Sequence, residues 1–336
     1  MIAMYAILDG FDLGAGIIHL MIARNDGERR LVLRAIGPVW DGNEVWLIAA
    51  GGTLYLAFPL VYASSFSGFY LPLMIVLWLL MLRGLGIELR HQIHHPLWKS
   101  FWDVVFSFSS ILLSVFLGAA LGNVVRGVPL NEQGYFFEPL WTSFAVGPDP
   151  GILDWFTMTL GLAAISTLTV HGANYISMKT DGEIQQRARS AAAKAWWGIV
   201  LTSAVALIAT LSIRPQMWTN FSVHPWAFLF PVGGVAGLIG SNYFRHKGKD
   251  AAAFLSSGTF IASMLASTAV GLFPNLLPAS VDLQRSLTIY NSATSAYGLG
   301  VGIVWWVVGM LLASVYFVYV YRSFRGKVTA GEEGQY

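Results

Sequence analysis

Apolar residues run along this chain in long stretches, and short basic segments separate them. Residues 45–82 contain no Asp, Glu, Lys or Arg. That length suffices for two membrane-crossing helices of about 20 residues each, with Ser64–Ser65–Phe66–Ser67–Gly68 as a turn near the middle. Comparable stretches lie near 100–123, 152–178, 193–213, 225–244, 251–274 and 297–321, and residues 1–23 make a ninth.

Lys and Arg test this count independently of hydropathy. Seventeen of the twenty fall in alternate connections and three in the others. Under the positive-inside rule the heavy set is cytoplasmic. The pattern predicts an all-α polytopic membrane protein with nine transmembrane helices, N-terminus outside and C-terminus cytoplasmic. Short connections set neighbouring helices antiparallel, as in bundles. Residues 1–322 read as a single transmembrane helical domain whose first helix looks truncated at its front, and residues 323–336 as a polar cytoplasmic tail. The longest outer connections are about 124–151 and 275–296.

Composition agrees. Of the 336 residues 55% are hydrophobic and 11% charged, against about a quarter charged in soluble proteins, and the mean hydropathy is +0.60. This excludes an ordinary soluble enzyme and a nucleic-acid binder with a basic stripe. The chain has no Cys, which excludes disulfides, thiolate metal sites and thiol nucleophiles. Thirty-five glycines suit close helix packing, and the pairs Gly10/Gly14 and Gly233/Gly237 have the four-residue spacing.

An acid in the middle of a bilayer helix costs roughly 2.5–3.5 kcal/mol on insertion scales, so each one calls for a reason. Helix one carries Asp9, Asp12 and His19. With Gly16 they share one face, which must meet protein or a water-filled path rather than lipid. Two readings stay open for this stripe, a structural polar seam and a proton path. The second helix opens Pro38-Val39-Trp40-Asp41-Gly42-Asn43-Glu44-Val45-Trp46. Asp41 with Glu44 three residues on has the capping-box spacing, and Asp41 also suits a carboxylate at the cytoplasmic mouth of a buried path. The two roles are compatible. Asp103 and Asp154 fall near helix N-termini, where negative charge is favourable.

Of seven histidines only His19 and His171 lie inside spans, at what the count places as similar depth. Such a pair could ligate a haem iron axially, although nothing in the sequence brings helices one and five together. No metal site is expected. His91, His94 and His95 belong to a basic connection at the membrane surface.

The run Leu8-Asp9-Gly10-Phe11-Asp12-Leu13-Gly14-Ala15-Gly16, then Arg24-Asn25-Asp26, Glu28-Arg29-Arg30 and the helix-two block through Leu47, resembles subunit II of the cytochrome bd quinol oxidases. The likeness continues through Phe66-Ser67-Gly68-Phe69-Tyr70, Trp102-Asp103, Gly127-Val128-Pro129, His171-Gly172-Ala173, Phe273-Pro274 and Ser286-Leu287-Thr288. It implies two four-helix bundles plus one extra helix, paired with a similarly folded subunit I in a bacterial cytoplasmic membrane. Small single-helix accessory subunits are compatible with it, as is a quinone or lipid held between helices. The complex it implies oxidises membrane quinol and reduces O2 to water with protons drawn from the cytoplasm, building a gradient without a pump. Haem b and haem d belong to subunit I. By position Asp41 resembles the family's proton-path aspartate and Trp46 the tryptophan near its oxygen access route. Glu44, Asp12 and Asp9 are further candidates for the path or its polar seam.

The residues alone leave a proton-coupled secondary transporter and a purely structural partner of subunit I as alternatives. The transporter reading expects matching broken helices in the two halves of the chain, whereas the intramembrane acids cluster only in the first.

Overall fold

A computed structural model describes residues 1–147 and 150–328, and among them twelve α-helices form. α1 (Ile2–Ile22) leads to α2 (Asp26–Ile36), α3 (Trp40–Ala57), α4 (Pro59–Gly68), α5 (Tyr70–Leu89) and α6 (Pro96–Arg126). α7 (Trp155–Lys179), α8 (Gly182–Ile213), α9 (Gln216–Val223), α10 (Leu229–His246), α11 (Asp250–Leu272) and α12 (Ala296–Ser323) complete the set. Eight of the described helices are long and apolar enough to cross a membrane: α1, α5, α6, α7, α8, α10 with the turn before it, α11 and α12. α3 occupies the expected second span but is not among the eight, because Asp41, Asn43 and Glu44 in its first turns lower its hydropathy.

Several expected boundaries move. The Ser64–Gly68 run is helical, not a turn: Pro59 interrupts the helix at Phe58, and the next break falls at Phe69. Ser67 Oγ donates back to the carbonyl of Ala63 at 2.8 Å, so its hydroxyl is satisfied within the helix. The basic segment 24–34 folds as α2, capped by Asn25, whose side chain accepts from the backbone N–H of Glu28 at 2.9 Å. Its face of Val32, Leu33, Ala35 and Ile36 is buried. The basic residues Arg187 and Arg189 stand on the front of α8, not in a loop.

α1 is the hub. It packs on α3, α6, α7 and α11, and Asp9 through His19 are buried without interruption. Glycine makes this possible at one crossing in particular. A Cβ on Gly14 would stand 2.8 Å from the Cα of Gly172 on α7, so the two backbones touch directly. The Gly233/Gly237 pair plays the same part between α10 and α11, where a Cβ on Gly237 would meet the backbone of Phe260 at 2.7 Å. α12 leans chiefly on α3 and buries only Gly302.

At one end of the bundle the two long connections pack together. Residues 275–277 pair antiparallel with 287–288, and Val128 exchanges backbone bonds with Pro278 and Ser280. Val61, Val128, Leu130, Phe136, Leu277 and Leu287 form a small core beneath. Arg214 ties the layer down, donating to the carbonyls of Val125, Arg126 and Ala279. Asn291 closes a turn by accepting from the N–H of Thr288 at 2.7 Å. At the other end α12 stops at Ser323 and the chain folds back, with the N–H of Val328 donating to the Lys179 carbonyl. The rest of the expected tail, 329–336, lies outside the described residues.

Candidate functional site

The polar stripe of α1 faces protein along its whole length, and its members meet three helices, α5, α3 and α6. Asp9 pairs with Arg83 of α5 at 2.7 Å, and both side chains are fully buried. The same guanidinium reaches Glu44 of α3 at 2.9 Å. One turn further along α1, Asp12 Oδ2 accepts from the side-chain amide of Asn43 at 2.7 Å. Asn43 Oδ1 in turn accepts from the hydroxyl of Tyr321 on α12 at 2.9 Å. Asp12 Oδ1 has no partner among the described residues and is shut off from solvent. Gly16 lets Ser110 and Phe106 of α6 approach, and His19 Nε2 lies 2.8 Å from Asp103 Oδ1 on that helix.

Arg83 is a residue that sequence reasoning misplaced. It was counted with the cytoplasmic connection, yet it sits inside α5 as the counter-ion of two acids. The apolar pattern in fact runs on past it through Leu85 and Ile87. Asn43 and Tyr321 were also missed, since a neutral polar side chain in a helix carries no charge that calls for a partner on another helix.

Asp103 requires a correction. It is not a residue of the helix N-terminus: α6 begins seven residues earlier, at Pro96, and Asp103 is fully buried. It gathers Arg90 at 2.6 Å, Arg29 at 3.0 Å and His19. Asp26 stands beside this cluster and receives Arg90, Lys99 and Arg30. Burial alone would raise its carboxyl, but the bonds from Lys99 and Arg90 outweigh that and hold it below its usual range. Arg187 does the same for Glu28.

The capping box expected of Asp41 and Glu44 does not form. The cap position is Val39, without a side-chain bond, and Glu44 turns to Arg83 instead. Asp41 is exposed on the first turn of α3, two and three residues before Asn43 and Glu44. Trp46 is buried against Phe317 of α12, ring centroids 5.4 Å apart. Asp154 does cap α7, in a reciprocal box with Thr157.

The two membrane histidines are not poised to share an iron. His171 Nδ1 lies 2.8 Å from Ser257 Oγ, and Nε2 lies 2.9 Å from the carbonyl of Ile7. Ile7 stands twelve residues before His19 on α1, about 18 Å of helix rise. α1 and α7 do touch, which nothing in the sequence required, but both ring nitrogens of His171 are engaged and the rings face different partners. These residues do not fit an axial haem pair.

A second charged cluster lies under the 127–154 connection. Arg126 donates to Asn123 at 2.7 Å, to Glu138 at 2.9 Å and to Asp154. Glu138 is fully buried, and its Oε2 has no partner among the described residues. Burial pushes its carboxyl up to about 7, with Asp154 adding repulsion and Arg126 only partly opposing. A proton held by the folded state and released on unfolding stabilises at low pH, and that stability fades as pH rises through the folded value. Thermal stability is therefore expected to fall between pH 5 and pH 8 by up to about 3 kcal/mol, and Glu138→Gln to flatten the profile. Melting curves across that range check this, and an unchanged slope in the variant would count against it.

Comparison with known proteins gives a consistent picture. Residues 1–324 match the family model described as cytochrome bd terminal oxidase subunit II. The chain is 32% identical to a probable cytochrome oxidase subunit 2 of Haemophilus influenzae, over 97% of this chain and 92% of that one. It is 30% identical to the cytochrome bd-I ubiquinol oxidase subunit 2 of Escherichia coli K12, over 97% and 91%. Among solved structures, the bd oxidase of Geobacillus thermodenitrificans shares its fold with a TM-score of 0.73 at 18% identity, covering 96% of this chain and 94% of that chain.

Proposed function

This chain belongs to the cytochrome bd terminal oxidase subunit II family, and from that premise we propose how its geometry serves a membrane quinol oxidase. Counted with α3, the helices make nine spans, with the N-terminus outside and the C-terminus in the cytoplasm. The charge asymmetry of the connections supports this even with Arg83 moved inside a helix. α1, α3 with α4, α5 and α6 form one four-helix bundle, α7, α8, α10 and α11 the other, and α12 is the extra helix. Residues 1–322 are one membrane domain and 323–336 its cytoplasmic tail. The chain sits in the bacterial cytoplasmic membrane beside subunit I, which carries haem b and haem d, and small single-helix subunits can join them. The complex oxidises quinol and reduces O2 to water.

In this chain, Asp41 gathers protons at the cytoplasmic mouth. The observation that carries this reading is the register of α3, which exposes Asp41 while turning Asn43 and Glu44 inward onto Asp12 and Arg83. A proton reaching Asp41 thus stands one helical turn from a buried polar column. Asp12, with one oxygen unpartnered among the described residues, can hold a proton within that column, while Asp9 and Glu44 are tied to Arg83 and fix its shape. Trp46 lines the oxygen access route without ligating anything.

Asp41→Asn tests the assignment. Oxygen uptake by the purified complex is expected to fall about tenfold or more while haem absorption and assembly stay normal, and Asp41→Glu is expected to recover part of the rate. Wild-type turnover in the Asn variant would leave Asp41 without a role in proton delivery.

A further inference from the structure

The end of the bundle that carries α2 holds a cavity of about 300 Å³ that the proton path does not use. It lies where three elements finish: the last turn of α2, the last turn of α7, and the end of α12 with the segment folded back from it. Four cations stand around it, Arg34, Lys179, Arg325 and Lys327. No acidic residue lines it. Its remaining wall is apolar and aromatic, and Tyr321 and Tyr175 belong to it.

Several arginines of this face have carboxylates: Arg29 has Asp103, Arg30 has Asp26, Arg187 has Glu28 and Arg189 has Asp250. Arg24 and Arg322 have no ion pair among the described residues but do not line the cavity, so this place is set apart by two unpaired guanidiniums bordering one apolar hollow. Lys327 has Asp181, and Lys179 donates to the carbonyl of Phe324 at 2.6 Å. Arg34 and Arg325 have neither an ion pair nor a side-chain hydrogen bond among the described residues. Two unpaired guanidiniums over an apolar cavity at the membrane boundary match one ligand chemistry well. A guanidinium fork grips phosphate oxygens in pairs, and apolar walls accept the glycerol and first acyl carbons behind them.

From this we infer that the cavity binds a phosphate-bearing anion, gripped by Arg34 and Arg325 with Lys179 beside them, supplied as the headgroup of an anionic phospholipid or as free phosphate. Bound there, it joins the C-terminal end of α12 to α2 and α7, which otherwise meet it through few polar contacts. It also covers Tyr321, the outer member of the hydrogen-bonded chain Tyr321–Asn43–Asp12. The inference is independent of the role given to Asp41.

Native mass spectrometry of the purified oxidase complex tests it, with phosphatidylglycerol, phosphatidylcholine and inorganic phosphate as probes. Wild type is expected to retain phosphatidylglycerol over phosphatidylcholine. The double variant Arg34→Gln/Arg325→Gln is expected to lose roughly tenfold in that retention, whereas Arg24→Gln, an exposed cation away from the cavity, leaves it unchanged. Should the double variant fail to assemble, Arg325→Gln alone, at an exposed position, must show the same direction of loss. Displacement of the lipid by millimolar phosphate assigns the site to the free anion, and resistance to it assigns the site to the headgroup. Equal retention in wild type and variant, or equal loss in Arg24→Gln, overturns the inference.

Discussion

Arg83→Gln is expected to cripple assembly of the complex, lowering the stability of this subunit by about 3–5 kcal/mol, the usual cost of removing one partner from a buried ion pair. The reason is the number of charges that depend on it. Arg83 and Asp9 are both fully buried, and Glu44 shares the same guanidinium. Without the cation two acids are left close together with no other described cation paired to them, Asp9 shut off from water and Glu44 only partly exposed. Asp9→Asn should be milder, because Arg83 keeps Glu44. Combining Asp9→Asn with Arg83→Gln should recover part of the loss, since the remaining groups are neutral or half-exposed. Yield of assembled complex and its melting temperature, followed through the haem bands, read all three variants. Wild-type yield of Arg83→Gln would show that Asp9 and Glu44 have another source of neutralisation.

Gly14→Val is the second large effect. At this crossing the α1 and α7 backbones touch, and an added Cβ meets the Leu168 carbonyl as well as Gly172. Neither is a side chain that can swing aside, so the helices must separate. The cost should be roughly 3 kcal/mol or more, at the upper end for overpacked sites. Gly172→Ala should act in the same direction from the other side. Gly309→Ala on α12, where nothing lies within 4 Å of the added carbon, should be neutral or slightly favourable. Melting temperatures of the three variants order these expectations, and a Gly14 variant as stable as Gly309→Ala would refute the packing argument.

Much of this architecture is written in the hydropathy of the chain, because membrane crossing is decided by length and apolarity within each segment. The stripe of Asp9, Asp12, Gly16 and His19 was legible for a similar reason: an acid in an apolar helix must meet protein, and the helical period says on which face. What the sequence could not tell was which residue would answer each acid. Arg83 was assigned to a connection because a cation near the end of an apolar run usually marks the membrane surface. Asp103 was assigned to a helix start because α6 extends well before its apolar stretch. In both cases the partner comes from another helix, and pairing between helices leaves no trace in the local pattern. His171 shows the same limit from the other direction, since its hydrogen-bond partners, the Ser257 hydroxyl and the Ile7 carbonyl, belong to ordinary residues that no motif marks.

The stripe on α1 also has a consequence for how the chain is made. α1 leaves the ribosome before every helix that answers it. Asn43 follows Asp12 by 31 residues, Arg83 follows Asp9 by 74, Asp103 follows His19 by 84, and the His171 that binds the Ile7 carbonyl follows by 164. During synthesis α1 therefore meets the bilayer with two acids uncompensated, at roughly 2.5–3.5 kcal/mol each. Its stable residence there depends on α5 arriving, so α1 is made before α5 but settles only with it.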